Sequence, residues 1–287
     1  MKKLILGSAQ FGLDYGINNS KGKFNCLEVE ELLDYAHSKG VQTLDTAQEY
    51  GDAEITIGEY FKKHPKNKFK IITKITLQNK SFEEALKKSL KRLQLDQVEV
   101  IMFHSFEEYK RIKNELPNWV AKFKGVLFKK IGVSLYTNEE IETVLGDVNI
   151  DVIQTPFNLL DNEFQRGEQY KKIKRSGKEL HVRSVFLQGL FFKPLDQITK
   201  QLQPLVPLLK ELQLQAVKSK ISLNEIALAY VQSKPYVDGF LIGVDDLDQL
   251  KSNLSATQIK LSDQMVNTID QIALEEKNVL NPGVWKR

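Results

Sequence analysis

The chain has 287 residues, 41% of them hydrophobic and 27% charged, with a net charge of +4, a balance that excludes disordered and fibrous classes. Its only cysteine, Cys26, has no partner for an internal disulfide and no His or Cys neighbours for a metal site, so a reducing cytoplasm is the expected compartment. The basic runs at 61–68 and 170–175 are not interleaved with stacking aromatics and read as solvated faces and loops, not as a nucleic-acid surface. Residues 1–20 lack the apolar core of a secretory signal, and no run approaches the ~18 apolar residues of a membrane span.

Taken in order, the apolar run at 4–6 stops at Gly7, and Gly12 and Gly16 follow, which predicts a buried strand and a loop. Leu32, Leu33, Tyr35 and Ala36 at helical spacing before Gly40 predict a helix over 27–39. Further strands are predicted at 41–44, 69–75, 98–104, 130–134, 152–155, 180–186 and 237–242. Helices are predicted over 52–63, 81–93, within 107–123, from Thr137, over 162–175 and over 246–254. The segment 204–232 reads as two helices split at 220–222. Ser81 with Glu84 and Ser222 with Glu225 have the spacing of capping boxes.

Eight short strands, each followed by a helical pattern, predict a closed parallel sheet, the TIM (β/α)8 barrel. A C-terminal helix at 262–275 lies outside the eight-fold count, and no linker divides residues 1–287, so a single domain is expected. The rival doubly wound sheet needs a glycine-rich dinucleotide turn after the first strand, and residues 7–12 lack that spacing. The loops look short. In such a barrel the active site lies at the C-terminal ends of the strands. Asp45, Lys74 and His104 are predicted to end the second, third and fourth, with Tyr50 in the loop after Asp45. A phenol ordinarily titrates near ~10. A cation beside it favours the ionised form, so Lys74 is expected to lower the pKa of Tyr50 and make it a usable acid, with Asp45 holding the lysine charged and aimed.

The stretch Asp45-Thr46-Ala47-Gln48-Glu49-Tyr50-Gly51, followed by Lys74 and His104, resembles the aldo-keto reductase family, which carries D-T-A-x-x-Y-G after its second strand, a lysine ending the third and a histidine ending the fourth. The resemblance implies hydride transfer between NADPH or NADH and the carbonyl carbon of a small molecule. Tyr50 would be the general acid, Lys74 and Asp45 would tune its proton, and His104 would orient the carbonyl. It also implies cofactor contacts from Ala9, Gln10 and Phe11 after the first strand, and from Ser134, Gln154, Arg183, Ser184, Phe186, Gly189, Gly243, Asp245, Gln249 and Asn253.

Two positions depart from the family pattern. Leu135 stands where an asparagine is expected, and Arg183 replaces the tyrosine that would stack on nicotinamide, adding positive charge near a ring that is cationic when oxidised. Where members that prefer the phosphorylated cofactor place Lys or Arg, this chain has Asp245, Asp246 and Asp248. These carboxylates either face an unphosphorylated ribose or simply open the next helix. The departures leave room for a nicotinamide-binding redox sensor, as the potassium channel beta subunits resemble, while an aldolase or isomerase on the same barrel would fit Asp45 and Tyr50 less well. Phe11, Tyr15, Phe106 and Trp285 are candidate aromatics for the mouth of a pocket that takes a sugar-like or small aliphatic carbonyl compound. No residue grouping with metal-ligand spacing converges on this site.

Overall fold

The computed structural model describes residues 3–78, 81–274 and 277–285. Its strands are β1 (Leu4–Gly7), β2 (Thr43–Ala47), β3 (Lys70–Ile75), β4 (Val98–Phe103), β5 (Phe128–Ser134), β6 (Val152–Pro156), β7 (Glu179–Arg183) and β8 (Gly239–Ile242). They pair in parallel in chain order, and β8 returns to β1 to close the barrel. This is the TIM (β/α)8 barrel expected from the sequence.

Alternate residues of each strand face opposite sides of the sheet. Outward residues such as Leu6, Leu44, Ile101, Val133 and Ile153 join the main core beneath the helices. Ile5, Ile72, Val100, Met102 and Val152, with Leu241 packed on them, form a separate cluster, the apolar filling of the barrel itself. Helices begin where the sequence can satisfy their free N–H groups. Capping boxes form at Ser81 with Glu84 and Ser222 with Glu225 as expected, and also at Asn25 with Glu28 and Thr137 with Glu140. Each cap contributes about 1 kcal/mol.

Several boundaries differ from the sequence reading for local reasons. Strand β2 starts at Thr43, because Gly40, at φ +79°, and Val41, whose N–H donates to Ala36 O, belong to the preceding helix end. Asp45 and Lys74 therefore lie within their strands, and β4 stops one residue short of His104. Residues 107–123 hold two helices, Phe106–Ile112 and Leu116–Phe123, with Pro117 in the first turn of the second. Strand β7 ends at Arg183, since Ser184 takes φ +59°. The expectation of short loops fails here. Three 3-10 turns, Leu187–Phe192, Leu195–Gln197 and Lys200–Leu205, precede the helix Val206–Ser219. Beyond the eighth unit, the C-terminal helix is Asp263–Asp270; Glu275, where it was expected to end, lies outside the described residues.

Candidate active site

Asp45, Lys74, Tyr50 and His104 meet in one cleft at the C-terminal ends of β2 to β4. Asp45 is fully buried and Lys74 nearly so. The Lys74 ammonium donates to Asp45 Oδ1, and the other carboxylate oxygen accepts from Gln154 Nε2 at 2.9 Å. Both oxygens of this buried charge are thereby satisfied, as burial requires. Lys74 Nζ lies 5.3 Å from the centre of the Tyr50 ring. The His104 ring meets that ring edge to face, with centroids 5.8 Å apart. His104 Nδ1 is 3.0 Å from Glu49 Oε2, although it makes no well-aligned hydrogen bond.

Backbone contacts aim Tyr50. The N–H of Gln48 donates to Lys74 O at 2.9 Å, and its side chain reaches Ala85 O at 2.6 Å and Ser89 Oγ at 2.8 Å. Gly12 and Gly51 sit back to back, such that a Cβ on Gly12 would overlap the carbonyl oxygen of Tyr50 and one on Gly51 would overlap that of Gly12. Only two glycines permit so close an approach.

The electrostatics correct one expectation. Burial pushes the Tyr50 phenol well above its ordinary range, and the Asp45 carboxylate pushes it further, against a smaller opposing effect of Arg183. The phenol is thus raised, not lowered. Lys74 does not offset this, since its charge is compensated by Asp45. Burial in turn lowers the pKa of Lys74, opposed by Asp45 and reinforced by Arg183.

The cleft has a volume of about 1060 Å³, at the upper end for ligand pockets and suited to an extended molecule. Ala9, Gln10, Ser134, Gln154, Arg183, Ser184, Phe186, Gly189, Gly243, Asp245, Gln249 and Asn253 all line it. Phe11 does not. It is buried in the main core, edge to face with Phe24, because the single helical turn Ala9–Gly12 faces it away from the cleft. Tyr15 and Trp285 line the mouth, but Phe106 packs against the core. Leu135 turns its side chain into the core. Of the three acids, Asp245 alone lines the cleft, where it accepts from Gln10 Nε2 at 3.2 Å. Asp246 caps the helix Leu247–Ala256 and pairs with Lys21, and Asp248 pairs with Lys251.

Residues 3–274 match the model of the aldo/keto reductase family. The chain belongs to that family. Like other members it is an NAD(P)H-dependent oxidoreductase. It is 23% identical to protein tas of Escherichia coli, covering 91% of this chain and 92% of that one, and 23% identical to the NADH-specific methylglyoxal reductase of the same organism, covering 95% of each. The fold of a solved aldo-keto reductase from Bacillus halodurans in its holo form superposes with a TM-score of 0.71 at 20% identity, covering 96% of this chain and 94% of that one.

Several residues of the reductase's cleft escaped the sequence reading. Glu49 occupies an unspecified position of the heptad, and Tyr136, Asn18 and Gln188 lie on loops whose placement no periodicity reveals. Asn18 donates to Gly189 O at 2.6 Å, Gln188 donates to Tyr15 Oη at 3.0 Å, and Lys21 reaches Asp246, so the loop after β1 is strapped to two other loops of the mouth. The residues fit a nicotinamide nucleotide. Gln154 Oε1 is a buried acceptor without a protein partner, in position to take an amide N–H such as that of a carboxamide, with Ser134 beside it on β5. Among the described residues no group of three His, Cys, Asp or Glu side chains is placed to hold a metal ion, and no helix is long and apolar enough to cross a membrane.

Proposed function

We propose that the protein reduces the carbonyl of a small aldehyde or ketone to an alcohol, with Tyr50 as the proton donor. The observation that carries this reading is the convergence of Tyr50, the Lys74–Asp45 pair and His104 in one cleft whose remaining lining suits a nicotinamide nucleotide. A reduced nicotinamide, when bound, supplies the hydride that forms the new C–H bond. As the carbonyl π bond breaks, charge builds on its oxygen and the Tyr50 O–H gives that oxygen its proton. A raised phenol pKa keeps this proton in place until then, and an alkoxide-like oxygen is basic enough to take it. The positive charge of Arg183 favours the phenolate left behind. His104 lines the same end and serves to orient the carbonyl.

For the cofactor, Asp245 in the cleft supports NADH, because a carboxylate repels a 2′-phosphate and can accept from a ribose hydroxyl. A relative named as NADH-specific is consistent with this. Tyr50→Phe tests the mechanism. It should lower kcat for aldehyde reduction by roughly 10²- to 10⁴-fold while leaving NADH binding, followed by fluorescence, nearly intact. Wild-type turnover in this variant would remove Tyr50 from the chemistry.

A further inference from the structure

Among the described residues, Arg183 is a cation in the cleft without a counter-ion. It ends β7, is half-buried, and lines the same cleft as Tyr50 and His104. Its guanidinium carbon lies 4.0 Å from the centre of the Tyr136 ring. Its Nη1 donates to Ser184 Oγ at 3.4 Å and its Nη2 to Leu135 O at 3.2 Å. Both contacts are long and both acceptors are neutral. A guanidinium carries five N–H donors, so most of its capacity is unspent. The lysine that lines this cleft, Lys74, is paired with Asp45. Among the described residues no carboxylate lies within ion-pair distance of Arg183.

The platform beneath it is held firmly. The Tyr136 N–H donates to Glu140 Oε2 at 2.6 Å, and its carbonyl accepts from Arg166 Nη2 at 2.8 Å. Arg166 is in turn locked to Asp161 through contacts of 2.6 and 2.9 Å. A fork fixed in this way loses little entropy on gaining a partner. It shares the cleft with Tyr50, Lys74 and His104.

We infer that Arg183 is a specificity-determining residue that binds the carboxylate of the substrate, so that the preferred substrates are oxo acids, compounds carrying a carboxylate on the same small molecule as the reducible carbonyl. This rests on the carbonyl-reductase reading above. A planar carboxylate matches the unspent donors of a guanidinium held over an aromatic ring. An oxidised nicotinamide does not, since it is cationic and would be repelled. A phosphate dianion suits this end less well than a single carboxylate, because Glu49, whose pKa its contact with His104 lowers, also lines it.

The test compares 4-carboxybenzaldehyde with its methyl ester, a pair with one reacting carbonyl and a difference of one charge. The wild-type protein should favour the acid in kcat/KM, and Arg183→Gln should cut that preference by roughly ten- to a hundredfold, mostly through KM, with Arg183→Lys in between. A second readout needs no turnover. Benzoate titrated into the wild-type protein should change the tryptophan fluorescence, since Trp285 lines the cleft, and should do so far more weakly with Arg183→Gln. Equal use of acid and ester by the wild-type protein, or an acid preference that survives Arg183→Gln, overturns the assignment. If no carbonyl compound is turned over, the reductase reading falls, and the benzoate titration alone decides for or against Arg183.

Discussion

Lys74 lies over the Tyr50 ring yet does not lower its pKa, because Asp45 cancels its charge. A group whose pKa is raised keeps its proton, so on the proposed mechanism reduction retains its donor up to and beyond the ordinary ~10 of a phenol. Alcohol oxidation, which needs the phenolate, should accelerate as pH rises. In Lys74→Met the Asp45 carboxylate is left buried and uncompensated beside the phenol. We expect kcat for reduction to fall by about 10²-fold or more and the pH dependence of oxidation to move upward; an unchanged profile at normal turnover would make the lysine purely structural. Asp245 allows a second test at this scale. Exchanging a repelling for an attracting charge at ~6 Å and an effective dielectric of ~20 is worth a few kcal/mol before screening, so Asp245→Arg should move affinity toward NADPH by roughly tenfold or more. Fluorescence titration with both nucleotides measures it, and wild-type binding that already favours NADPH would show that the acid does not act there.

At the scale of elements, the back-to-back glycines join the turn after β1 to the loop carrying Tyr50. Gly12→Ala should therefore displace the phenol while leaving the barrel closed. Because misplacement by ~1 Å can cost about 10²-fold, we expect kcat to drop far more than KM rises, with the far-UV circular dichroism unchanged; a variant with normal kcat would mean that the loop adapts without moving the phenol. The sequence shows Gly12 only as a breaker, since a close approach between distant segments leaves no local trace. Asp45, Tyr50, Lys74 and His104 were legible because a fixed heptad and apolar runs are local features, even though Asp45 and Lys74 lie within β2 and β3 and His104 just beyond β4. Phe11 was misassigned because its neighbours Ala9 and Gln10 do line the cleft and one helical turn separates their directions. The end of β7 was overrun for a similar reason. The apolar letters at 185–187 continue the strand pattern, while the positive φ at Ser184, Leu187 and Gln188 belongs to the backbone alone.

For the whole molecule, the barrel was readable from alternation because eight apolar runs separated by capped helices admit few other closures. The long excursion after β7 was not, as 3-10 turns lack a strong periodicity. The two layers inside the barrel have a further consequence. Above lies the Asp45, Lys74 and Gln154 network, and below it Ile5, Ile72, Val100, Met102 and Val152 fill the bore. Beneath that filling, Lys130 pairs with Glu179 near the opposite rim. Among the described residues, the cleft opens above this filling, at the C-terminal ends of the strands. On the proposed mechanism, the proton that Tyr50 gives up is replaced from the cleft above this filling, the side from which product also leaves.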